Sequence, residues 1–318
     1  SMHTLPLFEE PSSFDRDSLA RRLRELAAQD VYLGGSSWKY EGWLGQVYTP
    51  ERYFSRGRFS RKRFAKECLT EYAETFPIVC GDFSFYQFPP EHFWQNLFAS
   101  APERLKFVFK VPEEITRKTF PNHPRYGRQG GEPNPSFLNP ELFEAAFVQP
   151  LLPYRNRIAV LIFEFGGFSR KNYEKPEQFF EDLDRFLHML PAGFRYGVEV
   201  RNQEFPQPEY FAILRRHKIA HVFNAWTRMP PLDVQIQTEE AFTTDFIVAR
   251  ALLQHGRTYE QAVHAFSPYD RIQDESPETR SALRELIEHA RYRRVPAYLF
   301  VNNRLEGNMP ITINAVVE

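Results

Sequence analysis

Two cysteines, Cys68 and Cys80, are all that this chain of 318 residues contains, and they form no CxxC pair. That is too few for a disulfide framework and the wrong spacing for a zinc knuckle, so the expected setting is a reducing cytoplasm. No apolar run reaches the roughly 18 residues of a membrane span. No signal peptide precedes the first structured segment, and Ser1-Met2 reads as a vector remnant before a native start. Charge of one sign is lacking too. A net charge of −1 excludes a protein that grips nucleic acid by bulk charge alone, and leaves room only for a local basic mouth. The nine histidines include no HxH or HExxH pair. This argues against tight zinc or a histidine–carboxylate transition-metal site; magnesium stays open but is not favoured, and no metal ligands are assigned. Neither GxGxxG nor GxxxxGK[ST] occurs, so no organic cofactor is indicated.

What the chain does have is hydrophobic residues and aromatics, at 42% and 16%. That is enough for one large core, with most rings filling it and a minority free to stack on a ligand. Residues 1–14 read as a loosely held arm. Asp15 to Gln29 carries Leu19, Leu23 and Leu26 at helical spacing, and Ser60 is placed to cap a helix running to Phe76. Eight apolar runs follow one another: 31–34, 78–83, 105–111, 157–165, 196–202, 219–224, 245–251 and 296–303. Helical patterns separate most of them (91–99, 141–152, 176–190, 208–218, and 276–294 with Ser276 as its cap). Segment 119–140, rich in Pro, Gly and Asn, is a long insertion of the kind that forms lids, binding loops or disorder. Segment 227–244 lacks a convincing helix.

Eight apolar strands alternating with helices imply parallel pairing with both faces covered. The expected architecture is a single (β/α)8 barrel over 31–318, preceded by an arm and helix over 1–30, with an insertion after strand three and a degenerate unit after strand six. It fits better than an open doubly wound sheet, for which the Gly-rich phosphate turn is missing.

A barrel of this kind carries its site at the carboxyl ends of its strands. In Tyr196-Gly197-Val198-Glu199-Val200-Arg201-Asn202, alternation sends Glu199 and Arg201 the same way, so an acid and a guanidinium share one pocket. The other strand ends add Ser36 and Trp38, Asp82 and Tyr86, Lys110, Glu164, Asn224 and Trp226, Arg250, and Asn302 and Asn303. Candidate catalytic groups are Glu199, Glu164, Lys110 and Asp82. Candidate substrate or anion contacts are Ser36, Trp38, Tyr86, Lys110, Arg201, Asn224, Trp226, Arg250, Asn302 and Asn303. His255 is the one histidine expected near the mouth. Cys80 reads as a buried small apolar residue rather than a nucleophile, and Ser36 and Ser37 lack the GxSxG context of a nucleophilic serine.

Several of these strand ends lie in motifs that resemble one family. Gly34-Gly35-Ser36-Ser37-Trp38-Lys39-Tyr40-Glu41-Gly42-Trp43 with Val47-Tyr48-Thr49-Pro50 is similar to the opening segment of the DUF72 (YecE-like) proteins. Phe83-Ser84-Phe85-Tyr86-Gln87-Phe88-Pro89, Phe107-Val108-Phe109-Lys110-Val111 with Ile115-Thr116, Val198-Glu199-Val200-Arg201, and Phe300-Val301-Asn302-Asn303 with Gly307, Pro310 and Asn314-Ala315 resemble its later motifs in the same order. The resemblance implies a TIM barrel and no settled reaction. The chain also departs from the pattern. Cys80 and Asp82 stand where the family has Glu and Asn, Glu164 stands where it has a neutral amide, and Arg117 stands where it has His.

Lys110, Arg201 and Arg250 together suit a carboxylate or phosphate. The favoured expectation is an enzyme acting on a small anionic metabolite, with Glu199 or Glu164 moving a proton. One alternative is a nucleotide or nucleic-acid binder using stacking rings and the cations Lys118, Arg125 and Arg128, with Arg56, Arg58, Arg61, Lys62 and Arg63. Another is a non-catalytic barrel that senses a ligand.

Overall fold

The computed structural model describes residues 14–318; the N-terminal arm, apart from Phe14, lies outside the described residues. Asp15 caps the first helix, α1 (Arg16–Ala27), by accepting from the Ser18 backbone N–H, and α1 buries Leu19 and Leu23. Ser60 caps α2 (Arg61–Thr75) in the same way, accepting from the Arg63 N–H at 3.1 Å. In both helices a short oxygen satisfies an N–H that the first turn cannot.

Eight parallel strands close into a barrel: β1 (Val31–Gly35), β2 (Ile78–Gly81), β3 (Lys106–Lys110), β4 (Ile158–Phe165), β5 (Tyr196–Val200), β6 (Ala220–Ala225), β7 (Ile247–Ala251) and β8 (Ala297–Val301). Neighbours in sequence are neighbours in space, and β1 pairs with both β2 and β8, which removes the sheet edges. A bulge sits at Phe107/Val108 in the β3–β4 pairing. β1 and β2 approach so closely that a Cβ on Gly34 would lie 2.0 Å from the Ile78 carbonyl oxygen. Inside the barrel Ile78, Cys80, Val108, Val160, Ile162, Val222, Val248 and Phe300 form a compact inner core. The larger cluster between strands and helices holds most of the aromatics.

The outer layer is α3 (Glu91–Ala99), helical turns over 140–151, α4 (Pro176–His188), α5 (Pro208–Arg216), α6 (Tyr259–Phe266), α7 (Pro277–Arg293) and α8 (Met309–Val317). Between β6 and β7 there are only short turns at Leu232–Gln235 and Glu239–Ala241, so this unit is degenerate as expected. Helices α6 and α8 go beyond the sequence expectation. Ser276 precedes α7 as expected but does not cap it with its hydroxyl, which pairs with Thr279 Oγ1 at 2.6 Å. Buried Glu306 instead accepts from the Ser276 N–H and from both Nε and Nη2 of Arg280, tying the start of α7 to the chain after β8.

The insertion is ordered by a bond within it and by bonds to the short turn after β3. Asn134 Nδ2 donates to the carbonyls of Glu114 and Arg117, Phe120 pairs with Glu132, and Tyr126 donates to Glu113 at 2.6 Å. It brings Arg125 to the carboxyl end of the barrel.

Candidate functional site

Strand alternation turns Lys110, Glu164, Glu199 and Arg250 into the barrel, with Asp82 and Arg201 one step beyond β2 and β5. They meet in one cage. Arg250 Nη1 donates to Glu199 Oε1 at 2.7 Å and to Glu164 Oε1 at 3.0 Å, and its Nη2 reaches Asp82 Oδ1 at 3.4 Å. Arg201 Nη2 donates to Glu164 Oε1 at 2.7 Å and Glu199 Oε2 at 3.0 Å, while its Nε adds a third bond to Glu199. Lys110 Nζ lies 3.0 Å from Glu164 Oε1. Three cations thus meet three carboxylates, and the cage is formally neutral.

The cage is almost dry. Glu199 has no exposed surface, Arg250 has 1% and Glu164 4%. Burial pushes the Glu164 carboxyl up, but Arg201, Lys110 and Arg250 more than offset it and hold it well below the usual carboxylate range. Burial alone would weaken the Arg250 charge; Glu199 and Asp82 reverse that and raise it. Glu164 therefore stays ionised with its Oε1 saturated, a poor state for a general acid. Asp82 is different: its side chain is about one-third exposed, meets the far end of Arg250, and accepts from the Cys80 thiol at 3.7 Å. Burial also pushes the Cys80 thiol up, which leaves it inert.

Above the cage opens a cavity of about 540 Å³ lined by Asp82, Tyr86, Lys110, Glu164, Arg201, Trp226, Arg250 and Asn302 from the expected set. Glu199 lies just beneath, bonded to Arg201 and Arg250. The guanidinium carbon of Arg201 lies over Trp226, 3.7 Å from its ring centre, and Lys110 Nζ sits 4.1 Å from that of Phe85.

Besides Glu199, four expected residues do not reach this cavity. Ser36 is sunk, accepting from Asn302 Nδ2 at 2.6 Å. Asn224 points inward but has no exposed surface, and donates to the Val200 carbonyl. Asn303 accepts from Trp43 Nε1 and the Met309 N–H, pinning two loops together. Trp38 faces sideways, edge-on to Phe83. His255 is likewise turned away, to the Met229 carbonyl. Of the cations put forward for nucleic acid, Lys118 packs on Tyr173 and only Arg125 reaches the mouth.

The cavity also has a rim that strand ends do not reveal: Tyr40, Arg117, Arg125, Tyr259 and Arg304. Arg117 is held by Glu113 at 2.7 Å. Arg125, from the insertion, lies 4.4 Å from the ring centre of exposed Tyr86, and Arg304, after β8, lies 4.5 Å from that of Tyr259. Neither Arg125 nor Arg304 forms an ion pair with a carboxylate among the described residues. With the cage balanced and Arg117 paired, these two guanidinium groups are the mouth's surplus charge. Among the described residues no group of three or more His, Cys, Asp or Glu is arranged to hold a metal. No helix among them is long and apolar enough to cross a membrane.

Residues 32–318 match the family model described as "Protein of unknown function DUF72". The chain belongs to the DUF72 family. Among solved structures it is similar to a DUF72 family protein from Thermotoga maritima MSB8, with 25% identity and a TM-score of 0.58 over 90% of this chain and 97% of that one. A DUF72 family protein from Enterococcus faecalis V583 shares the fold at 14% identity, with a TM-score of 0.58 over 90% and 95% of the two chains. No curated protein matches the sequence. The DUF72 assignment carries the barrel and leaves the chemistry to the residues of the mouth.

Proposed function

We propose that this DUF72 protein binds a small phosphorylated or carboxylated metabolite at the barrel mouth and acts on it as an enzyme. One observation carries the reading. Arg125 and Arg304 line a cavity whose other charges are balanced, so the mouth has two guanidinium groups to offer an anion. Arg is suited to this because its planar fork donates two parallel bonds to carboxylate or phosphate. Exposed Tyr86 and Tyr259, each beside one of these guanidinium groups, offer further ring surface to a ligand. Asp82 is the cage carboxylate most open to the cavity and is the group assigned to move a proton. Glu164 and Glu199 hold Arg201, Arg250 and Lys110 in place instead. The proposal extends to compartment, since two free buried thiols suit a reducing cytoplasm.

Calorimetric titration with inorganic phosphate and with sugar phosphates tests the reading. Arg304→Gln is expected to weaken binding by about 10- to 100-fold, the range for losing a charge-assisted hydrogen bond of about 1.5–3 kcal/mol. Arg125→Gln, at an exposed position, should cost less and should reduce the salt dependence. Unchanged affinity in both variants would remove the anion site.

A further inference from the structure

Ser37 and Asp82, which line the mouth, also form one edge of a second cavity of about 780 Å³. The chain path explains its position. The loops after β1 and β2 make its inner wall, α2 and α3 flank it, and those helices contribute the small residues Ala65 and Ala99 where the space stays open. Its chemistry is unlike that of the mouth. Trp38, Leu69, Phe83, Phe93 and Leu97 supply rings and aliphatic surface, and Trp38 meets Phe83 edge to face at 6.2 Å. Lys39 and Lys66 stand at its exposed edge, and neither forms an ion pair among the described residues. A charged cavity and an apolar one therefore share a border, and each is of a size that takes a small molecule or part of one.

We infer that the ligand of this protein is amphipathic: its anionic group sits at the barrel mouth and an apolar arm passes Ser37 and Asp82 into the cavity between α2 and α3. The inference rests on the anion site proposed above and adds the class of molecule that fills it. The shared border favours an arm of the same ligand over a separate occupant, because Ser37 and Asp82, on the loops that make the inner wall of the apolar space, also line the mouth. Burying an alkyl or aryl group there removes apolar surface on both sides from water, and this is where the added affinity comes from.

Titration with inorganic phosphate, butyl phosphate and hexyl phosphate at one ionic strength, with hexanol as the uncharged probe, reads the two halves separately. Affinity is expected to rise about threefold to fourfold per methylene, corresponding to about 0.8 kcal/mol per buried CH₂. Ala65→Trp, at an exposed helix position facing the cavity, is expected to bring hexyl phosphate back to the affinity of inorganic phosphate. Ala99→Trp provides an independent block from the other helix, and the unfolding midpoint confirms that each variant is folded. If phosphate binds but the alkyl chain adds nothing, the amphipathic ligand is overturned while the anion site stands. A chain-length gain that survives both Trp variants overturns it too, by putting the arm elsewhere. If hexanol binds and is blocked by the Trp variants while no phosphate or ester binds, the anion site falls and the amphipathic ligand falls with it.

Discussion

Replacing Glu199 by Gln removes one charge from the cage while keeping its shape. Glu199 has no exposed surface and receives Arg250 at 2.7 Å and Arg201 at 3.0 and 3.1 Å. A Gln there keeps one accepting oxygen but turns an NH₂ group towards a guanidinium. Three cations then face Glu164 and Asp82, and one buried positive charge goes uncompensated. Breaking a buried pair on one side costs about 3–5 kcal/mol, most of it the desolvation of the stranded partner. For a chain of this length the unfolding entropy is about 0.7 kcal/mol/K, so the thermal midpoint should fall by about 4–8 °C. Arg250→Met strands negative charge instead and should cost a similar amount. The double variant leaves Lys110 and Arg201 against Glu164 and Asp82, which is balanced again. It should therefore be more stable than the sum of the two single losses predicts, by about 2–3 kcal/mol. Urea unfolding followed by circular dichroism measures all four corners of the cycle. Losses that simply add would refute a shared charge balance, and a Glu199→Gln protein as stable as the parent would refute a dry cage.

Two further predictions concern the scaffold. Burial lowers the pKa of His221 from 6.5 to about 3, so between these values the unfolded chain binds a proton that the folded one refuses; stability should fall by about 1.4 kcal/mol per pH unit on acidification. His221→Gln should flatten that slope by about one proton in urea titrations at pH 6.5, 5.5 and 4.5, and an unchanged slope would rule this out. Gly34→Ala puts a Cβ against the Ile78 carbonyl at the β1–β2 contact and should cost about 3 kcal/mol or more; a variant melting within a degree of the parent would show that the strands can part.

The barrel was legible because buried parallel strands are continuous apolar runs, and eight of them stand out between amphipathic helices. Helix α6 was missed although Thr258 and Gln261 form a capping box at its start; eight residues are too few for a clear period. Helix α8 was missed because Ile311, Thr312, Ile313, Val316 and Val317 are β-branched, which weakens a helical signal. In the site, the strand ends told which residues gather at the mouth but not how deep they lie. Glu164, Glu199, Lys110 and Arg250 were found that way, and Ser36 and Asn224 were overcounted that way. Arg304, Tyr40 and Tyr259 sit on loops and helix starts, where no period applies. Arg125 was visible only as one cation among several in the insertion, and it took the fold of that segment to set it over Tyr86.

Stability is a poor reason for the cage, because a buried ion network is at best an even exchange with apolar packing. What it provides is fixed geometry and a fixed charge count. Of the four positions that differ from the family motifs this chain resembles, Asp82, Glu164 and Arg117 line the mouth, and only Cys80 lies buried beneath it. With an amide at 164, Lys110, Arg201 and Arg250 would leave positive charge at the floor of the cavity. With the acid there, Oε1 of Glu164 takes a contact from each of the three and the floor is neutral. The surplus then moves outward, to Arg125 on the insertion and Arg304 after β8. An anion held at the rim leaves the floor open to the uncharged part of a ligand and keeps Asp82 within the same cavity. On this reading Glu164→Gln should draw the anion deeper: inorganic phosphate should bind tighter than to the parent and depend less on Arg304. Titrating Glu164→Gln against the Glu164→Gln/Arg304→Gln double variant reads that directly, and a penalty for losing Arg304 as large as in the parent would refute it.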